Sequence, residues 1–144
     1  MEAELEEANE RTAVLISLAQ ALFGPISSEW KYDGVAFHDH PPHLNYSPAS
    51  NTVQIGLSLK AVGDAFQRDF QLAHEVCHLL YPSMALDAPG KPQTNVINEG
   101  ISTYFSVIVV GECHGEKAMA IALESLQSSS QSLSACAVSS RERP

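Results

Sequence analysis

Phe66-Gln67-Arg68-Asp69-Phe70-Gln71-Leu72-Ala73-His74-Glu75-Val76-Cys77-His78-Leu79-Leu80 is the stretch on which the reading of this chain turns. Apolar residues at 66, 70, 73, 77 and 80 recur at three-and-four spacing. This predicts an amphipathic helix that runs from Leu59 and is stopped by Pro82. On such a helix positions i and i+4 lie one above the other, so His74 and His78 can present two imidazole nitrogens to one metal ion. Glu75 is rotated beside them. It is poorly placed as a third ligand but well placed to take a proton from a water held by the metal. The histidines border the apolar stripe, where a cleft wall would stand. The plain alternative is a pair of ordinary half-buried helix histidines.

A catalytic zinc takes three protein ligands and keeps one position open. Asn98-Glu99-Gly100-Ile101-Ser102-Thr103-Tyr104-Phe105 opens a second apolar-periodic stretch that continues to Val110, and Glu99 follows His78 after an interval of twenty residues. Pro82, Asp87, Pro89, Gly90 and Pro92 in that interval suit a loop that reverses the chain. A second helix is then expected against the first, its carboxylate completing a site of two histidines and one glutamate.

The pentad, Asn98-Glu99-Gly100 and the aromatic pair Tyr104-Phe105 together resemble the gluzincin superfamily of zinc metallopeptidases, over roughly residues 50 to 110. The resemblance implies one Zn2+ bound by His74, His78 and Glu99, with Glu75 as catalytic base in peptide-bond hydrolysis. Two departures stand out. Thermolysin-like enzymes carry an orienting Asp one turn after the ligand Glu, where this chain has Thr103. The Gly-x-Met-Glu-Asn motif of the related aminopeptidases is absent. Arg68 to Glu75 also resembles the zinc helix of the ImmA/IrrE-type peptidases, whose second helix reads differently. The subfamily stays open. Two readings from other classes stand beside the active peptidase: a non-catalytic zinc-stabilised protein-binding module, and a latent peptidase activated by truncation.

Peptidases of this architecture hold a polypeptide substrate in extended form against an exposed strand. Asn51-Thr52-Val53-Gln54-Ile55-Gly56-Leu57-Ser58-Leu59 alternates apolar and polar residues with period two. It is expected to be that strand, with a plain half-buried strand as the competing reading. Tyr32 to Phe37 is a second expected strand and Pro41 to Ser50 a turn-rich connection. His38 and His40 would share a face of a strand and could hold a second metal. No carboxylate or cysteine completes a set there, which favours a polar loop. The group that stabilises the oxyanion is left open among His38, His40, His43, Tyr81, Tyr104 and His114.

At 144 residues the chain is expected to form one α+β domain: a small sheet packed on a long N-terminal helix and the zinc helix, with the Glu99 helix closing the site. Residues 3 to 23 read as that first helix, ended by Gly24-Pro25. Residues 111 to 115 read as a turn and 116 to 126 as a short helix. The zincin-like domain is therefore expected over 1 to 126, with 127 to 144 as a Ser-rich mobile tail. A net charge of −9 argues against nucleic acid, whose phosphates call for a basic surface. No run approaches the roughly 18 to 20 apolar residues of a membrane span, and the acidic start does not read as a secretory signal. A cytoplasmic protein is the default expectation. Three cysteines are too few and oddly numbered for a disulfide framework, and Cys77 on the apolar stripe reads as a small buried hydrophobe.

Overall fold

Four helices and a three-stranded mixed sheet build the expected α+β architecture, in a computed structural model that describes residues 1–82 and 96–141, with side chains up to Ser128. The loop expected between His78 and Glu99 falls for the most part outside the described residues. Helix α1 (Glu2–Phe23) carries Glu2 and Glu4 in its first turn, where negative charge suits the positive end of the helix dipole. It buries Ala8, Thr12, Leu15 and Ala19. Gly24, at φ 105°, ends it as the Gly24-Pro25 pair predicted.

Strands β1 (Lys31–His38), β2 (His43–Ser47) and β3 (Thr52–Ser58) lie in the order β1-β3-β2, with β1 parallel and β2 antiparallel to β3. The alternation read in residues 51 to 59 is present, and Val53, Ile55 and Leu57 are fully buried. Its place in the sheet differs from expectation: β3 is the central strand, hydrogen-bonded on both sides, and cannot offer a free edge. The outer edges of the sheet belong to β1 and β2, and β2 lies inside the segment expected to be a turn-rich connection. Pro41-Pro42 and Ser47-Pro48 frame only five residues. Leu44 and Tyr46 nevertheless pack against the core, and the Tyr46 ring stands 4.8 Å from that of Trp30.

Helix α2 (Ala65–Leu80) begins later than its periodicity suggests. A single 3-10 turn, Leu59–Ala61, precedes it, Gly63 turns the chain at φ 73°, and the Asp64 side chain caps the helix by accepting from the Gln67 N–H at 3.0 Å. The buried stripe is also displaced. Leu72, Ala73, Val76, Cys77, Leu79 and Leu80 are buried, whereas Phe66 and Phe70 are only partly covered. Helix α2 packs against α1, α3 and the sheet, so its C-terminal half is enclosed on several sides.

Helix α3 (Val96–His114) carries through residues 111 to 114, which were expected to turn. Only Gly115, at φ 88°, breaks it before α4 (Glu116–Arg141). The expected end of the folded unit at 126 is likewise not where helix ends. Neither Gly nor Pro occurs between 116 and 141, and serine costs a helix only a few tenths of a kcal/mol per residue. Nothing in that stretch forces a stop. No helix among the described residues is long and apolar enough to cross a membrane.

Three helices are tied together at Asp69, whose side chain is almost wholly buried. It accepts from Arg68 Nε at 3.2 Å, from Arg11 Nε of α1 at 3.4 Å, and pairs with His114 Nε2 of α3 at 2.8 Å. Arg68 reaches on to Glu7 at 2.8 Å. Removing one member of a buried ionic group leaves its partners uncompensated, at about 3–5 kcal/mol. Asp69→Ala is therefore expected to destabilise the fold by about 3 kcal/mol in urea unfolding. A change below about 1 kcal/mol would show that the cluster is incidental.

Candidate metal centre

His74 and His78 sit one turn apart on α2, and Glu99 stands in the first turn of α3. The two imidazole Nε2 atoms are 3.2 Å apart. Glu99 directs Oε2 at His74 Nε2 (3.3 Å) and Oε1 at His78 Nε2 (3.2 Å). The Nε2–Nε2 separation is close to the about 3.3–3.4 Å between ligands of a tetrahedral ion, and one ligand atom from each of the three residues lies within 4.8 Å of the others, within reach of a shared ion. Among the described residues this is the group of three or more potential ligands brought within metal-binding reach.

Electrostatics favour the same use. Burial lowers the pKa of His74 below the ordinary imidazole value, against the pull of Glu99. Burial, then the neighbouring His74, lowers that of His78. Both rings are thereby biased to the neutral form that a metal requires. Glu75 lies beside them, 5 % exposed, and is not one of the converging ligands. Its carboxyl is pushed up to about 8, first by burial and then by the charge of Glu99. A divalent cation among the three ligands would oppose both effects and return Glu75 to a carboxylate able to accept a proton.

These four residues line one cavity of about 310 Å³, whose remaining walls are Pro42, His43 and Leu44. The structure thus brings together all the residues read from the sequence as ligands and base, and it adds the start of β2. Period-two alternation over His43-Leu44-Asn45-Tyr46-Ser47 was the available signal for that strand. The flanking prolines and serines obscured it. Asp69 was missed as well, its charge being unexpected within a buried face.

The histidines of the β1–β2 region do not form a second centre of ligand geometry among the described residues. His38 on β1 and His43 on β2 instead meet above Gly56 of β3, their ring centroids 4.5 Å apart. A Cβ added at Gly56 would overlap the His38 ring, which packs directly over this glycine. His38 Nδ1 accepts from the His40 N–H at 3.1 Å. Burial, then His43 and His40, lowers the His38 pKa. Its unfolded form therefore binds protons more readily, and stability contributed by the neutral ring is lost as pH falls below about 6.5. His38→Gln is expected to flatten the stability profile between pH 7 and pH 5, and an unchanged slope would assign the acid sensitivity elsewhere.

Of the residues considered for the oxyanion, His43 lines the triad's cavity. Tyr81 and Tyr104 are exposed and do not line it, and His114 is engaged with Asp69. Thr103 is half-buried one turn beyond Glu99, and its carbonyl accepts from Ser106 Oγ at 2.7 Å. Cys77 is buried, as its place on the helix predicted, and burial pushes its thiol up to about 12. In comparisons with known proteins, no family model, no curated protein and no solved structure matches this chain.

Proposed function

We propose that the protein is a zinc-dependent metallopeptidase of the gluzincin type, hydrolysing peptide bonds in an extended polypeptide. The observation that carries this reading is the convergence of His74, His78 and Glu99 within reach of one metal ion, with the non-ligand Glu75 buried in the same cavity. Two imidazoles and a carboxylate suit zinc, and three protein ligands leave a position open. Zinc held there supplies a Lewis acid that polarises a carbonyl and makes water acidic near neutral pH.

The remaining work falls to the chain. Glu75 takes the proton from the attacking water onto a carboxylate oxygen and passes it to the departing amine. Its near-complete burial limits exchange of that proton with bulk water. The outer edge of β2 borders the cavity and offers backbone N–H and C=O groups to which a peptide can add as a strand. Main-chain pairing of that kind fixes the scissile bond beside His74 and Glu75 while leaving side-chain preference to neighbouring pockets.

The test is digestion of a mixed peptide library near neutral pH by zinc-loaded protein, read by mass spectrometry. Cleavage should vanish with a chelator and return with zinc. Full zinc loading without cleavage, also after truncation of the N-terminal or C-terminal segment, would shift the assignment to a zinc-stabilised protein-binding module.

A further inference from the structure

The triad's cavity does not end at the metal ligands. A cavity of about 220 Å³ lined by Pro42, Phe70, Gln71, His74 and Glu75 adjoins it. Beyond lies the largest of the three, about 510 Å³, which shares Pro42, Phe70 and Gln71 with that link. Pro42 lines all three, so they form one groove between the β1–β2 loop and the N-terminal half of α2. The far cavity is built by three chain segments: Pro41 and Pro42 from the loop, Leu59 from the 3-10 turn, and Phe70 from α2.

Two of these apolar side chains are unusual in their exposure. Leu59 is 48 % exposed on a short turn, and Phe70, at a position the helical pattern assigns to the core, is only partly covered. Both contribute wall to the groove instead of filling the interior. Phe70 precedes His74 by four residues, which is about 6 Å along the helix axis. An extended peptide advances about 3.3 Å per residue, so a side chain one or two residues from the scissile bond reaches this cavity.

We propose that the cavity walled by Pro41, Pro42, Leu59 and Phe70 is the specificity subsite, selecting a bulky apolar side chain one or two residues from the cleaved bond. The proposal rests on the peptidase reading for its register with the metal, but the pocket itself stands on its own lining. Lys60 and Asp39 on the same lining carry opposite charges, so the apolar walls rather than a net charge set the preference. Burying a Leu- or Phe-sized group against apolar walls corresponds to a preference of about tenfold to a hundredfold over glycine.

The experiment has a cleavage arm and a binding arm. Position-scanned peptides carrying Phe, Leu, Gly or Lys next to the cut are digested by the zinc-loaded parent, by Phe70→Ala and by Leu59→Ser. The same peptides are titrated calorimetrically into zinc-loaded Glu75→Gln protein, with and without Phe70→Ala. The Phe-to-Gly ratio of kcat/KM, and of affinity, should be at least about tenfold in the parent background and should shrink about tenfold in each wall variant. Zinc content and melting temperature verify that these variants fold. Discrimination that survives both wall variants overturns the subsite while leaving the peptidase reading intact. Discriminating binding through Phe70 without any cleavage sinks the peptidase reading and keeps the pocket. Peptide binding that does not distinguish Phe from Gly, or no binding at all, overturns the subsite.

Discussion

Replacing both His74 and His78 by Ala should abolish stoichiometric zinc binding, where the parent chain takes up one zinc. The three ligand atoms already lie within 4.8 Å of one another, so little of the binding free energy is lost in bringing them together. Loss of a mere hydrogen-bond partner to a ligand costs about 10–100-fold in affinity, and loss of one ligand imidazole should exceed that. Glu99→Ala should weaken binding less than either single histidine change, because Glu99 is half-exposed and water can take its place. Competition titration against a chelator of known affinity gives the order of the three variants. Retention of one tightly bound zinc by the double-histidine variant would eliminate the site.

Glu75→Gln carries the second large effect, and it falls on turnover alone. The amide has the shape of the carboxylate but cannot accept the proton, and Glu75 is not among the converging ligands. Zinc content and folding stability are therefore expected to stay near those of the parent. General acid–base catalysis contributes about a hundredfold to ten-thousandfold, so single-turnover hydrolysis should drop by at least that lower factor at equal zinc content. Equal rates would remove Glu75 from the mechanism. Loss of zinc along with the rate would instead make it a structural support of the site.

The residues of the centre were legible in the chain because their spacing is written locally. The i, i+4 spacing of His74 and His78 sets their shared face once α2 forms, although Gly63 and the Asp64 cap start that helix later than the Leu59 its periodicity suggested. The apolar period from Asn98 to Val110 predicts the helix that carries Glu99, and Gly24-Pro25 marks the end of α1. Local signals also misled where they were weak. The Ser-rich stretch after 126 lacks a helix breaker and stays helical, and residues 111 to 114 continue α3 up to the one left-handed glycine.

Other features depend on pairing between distant segments, which no short window contains. Alternation identified β3 as a strand, but only the insertion of β3 between β1 and β2 made it central and left the outer edges to β1 and the five-residue β2. Which face of α2 is core depended on α1, α3 and the sheet closing around it. That packing buried Asp69 against Arg11, Arg68 and His114 and left Phe70 on the wall of a groove. Periodicity reports which residues share a face, whereas burial is decided by what the rest of the chain places against that face.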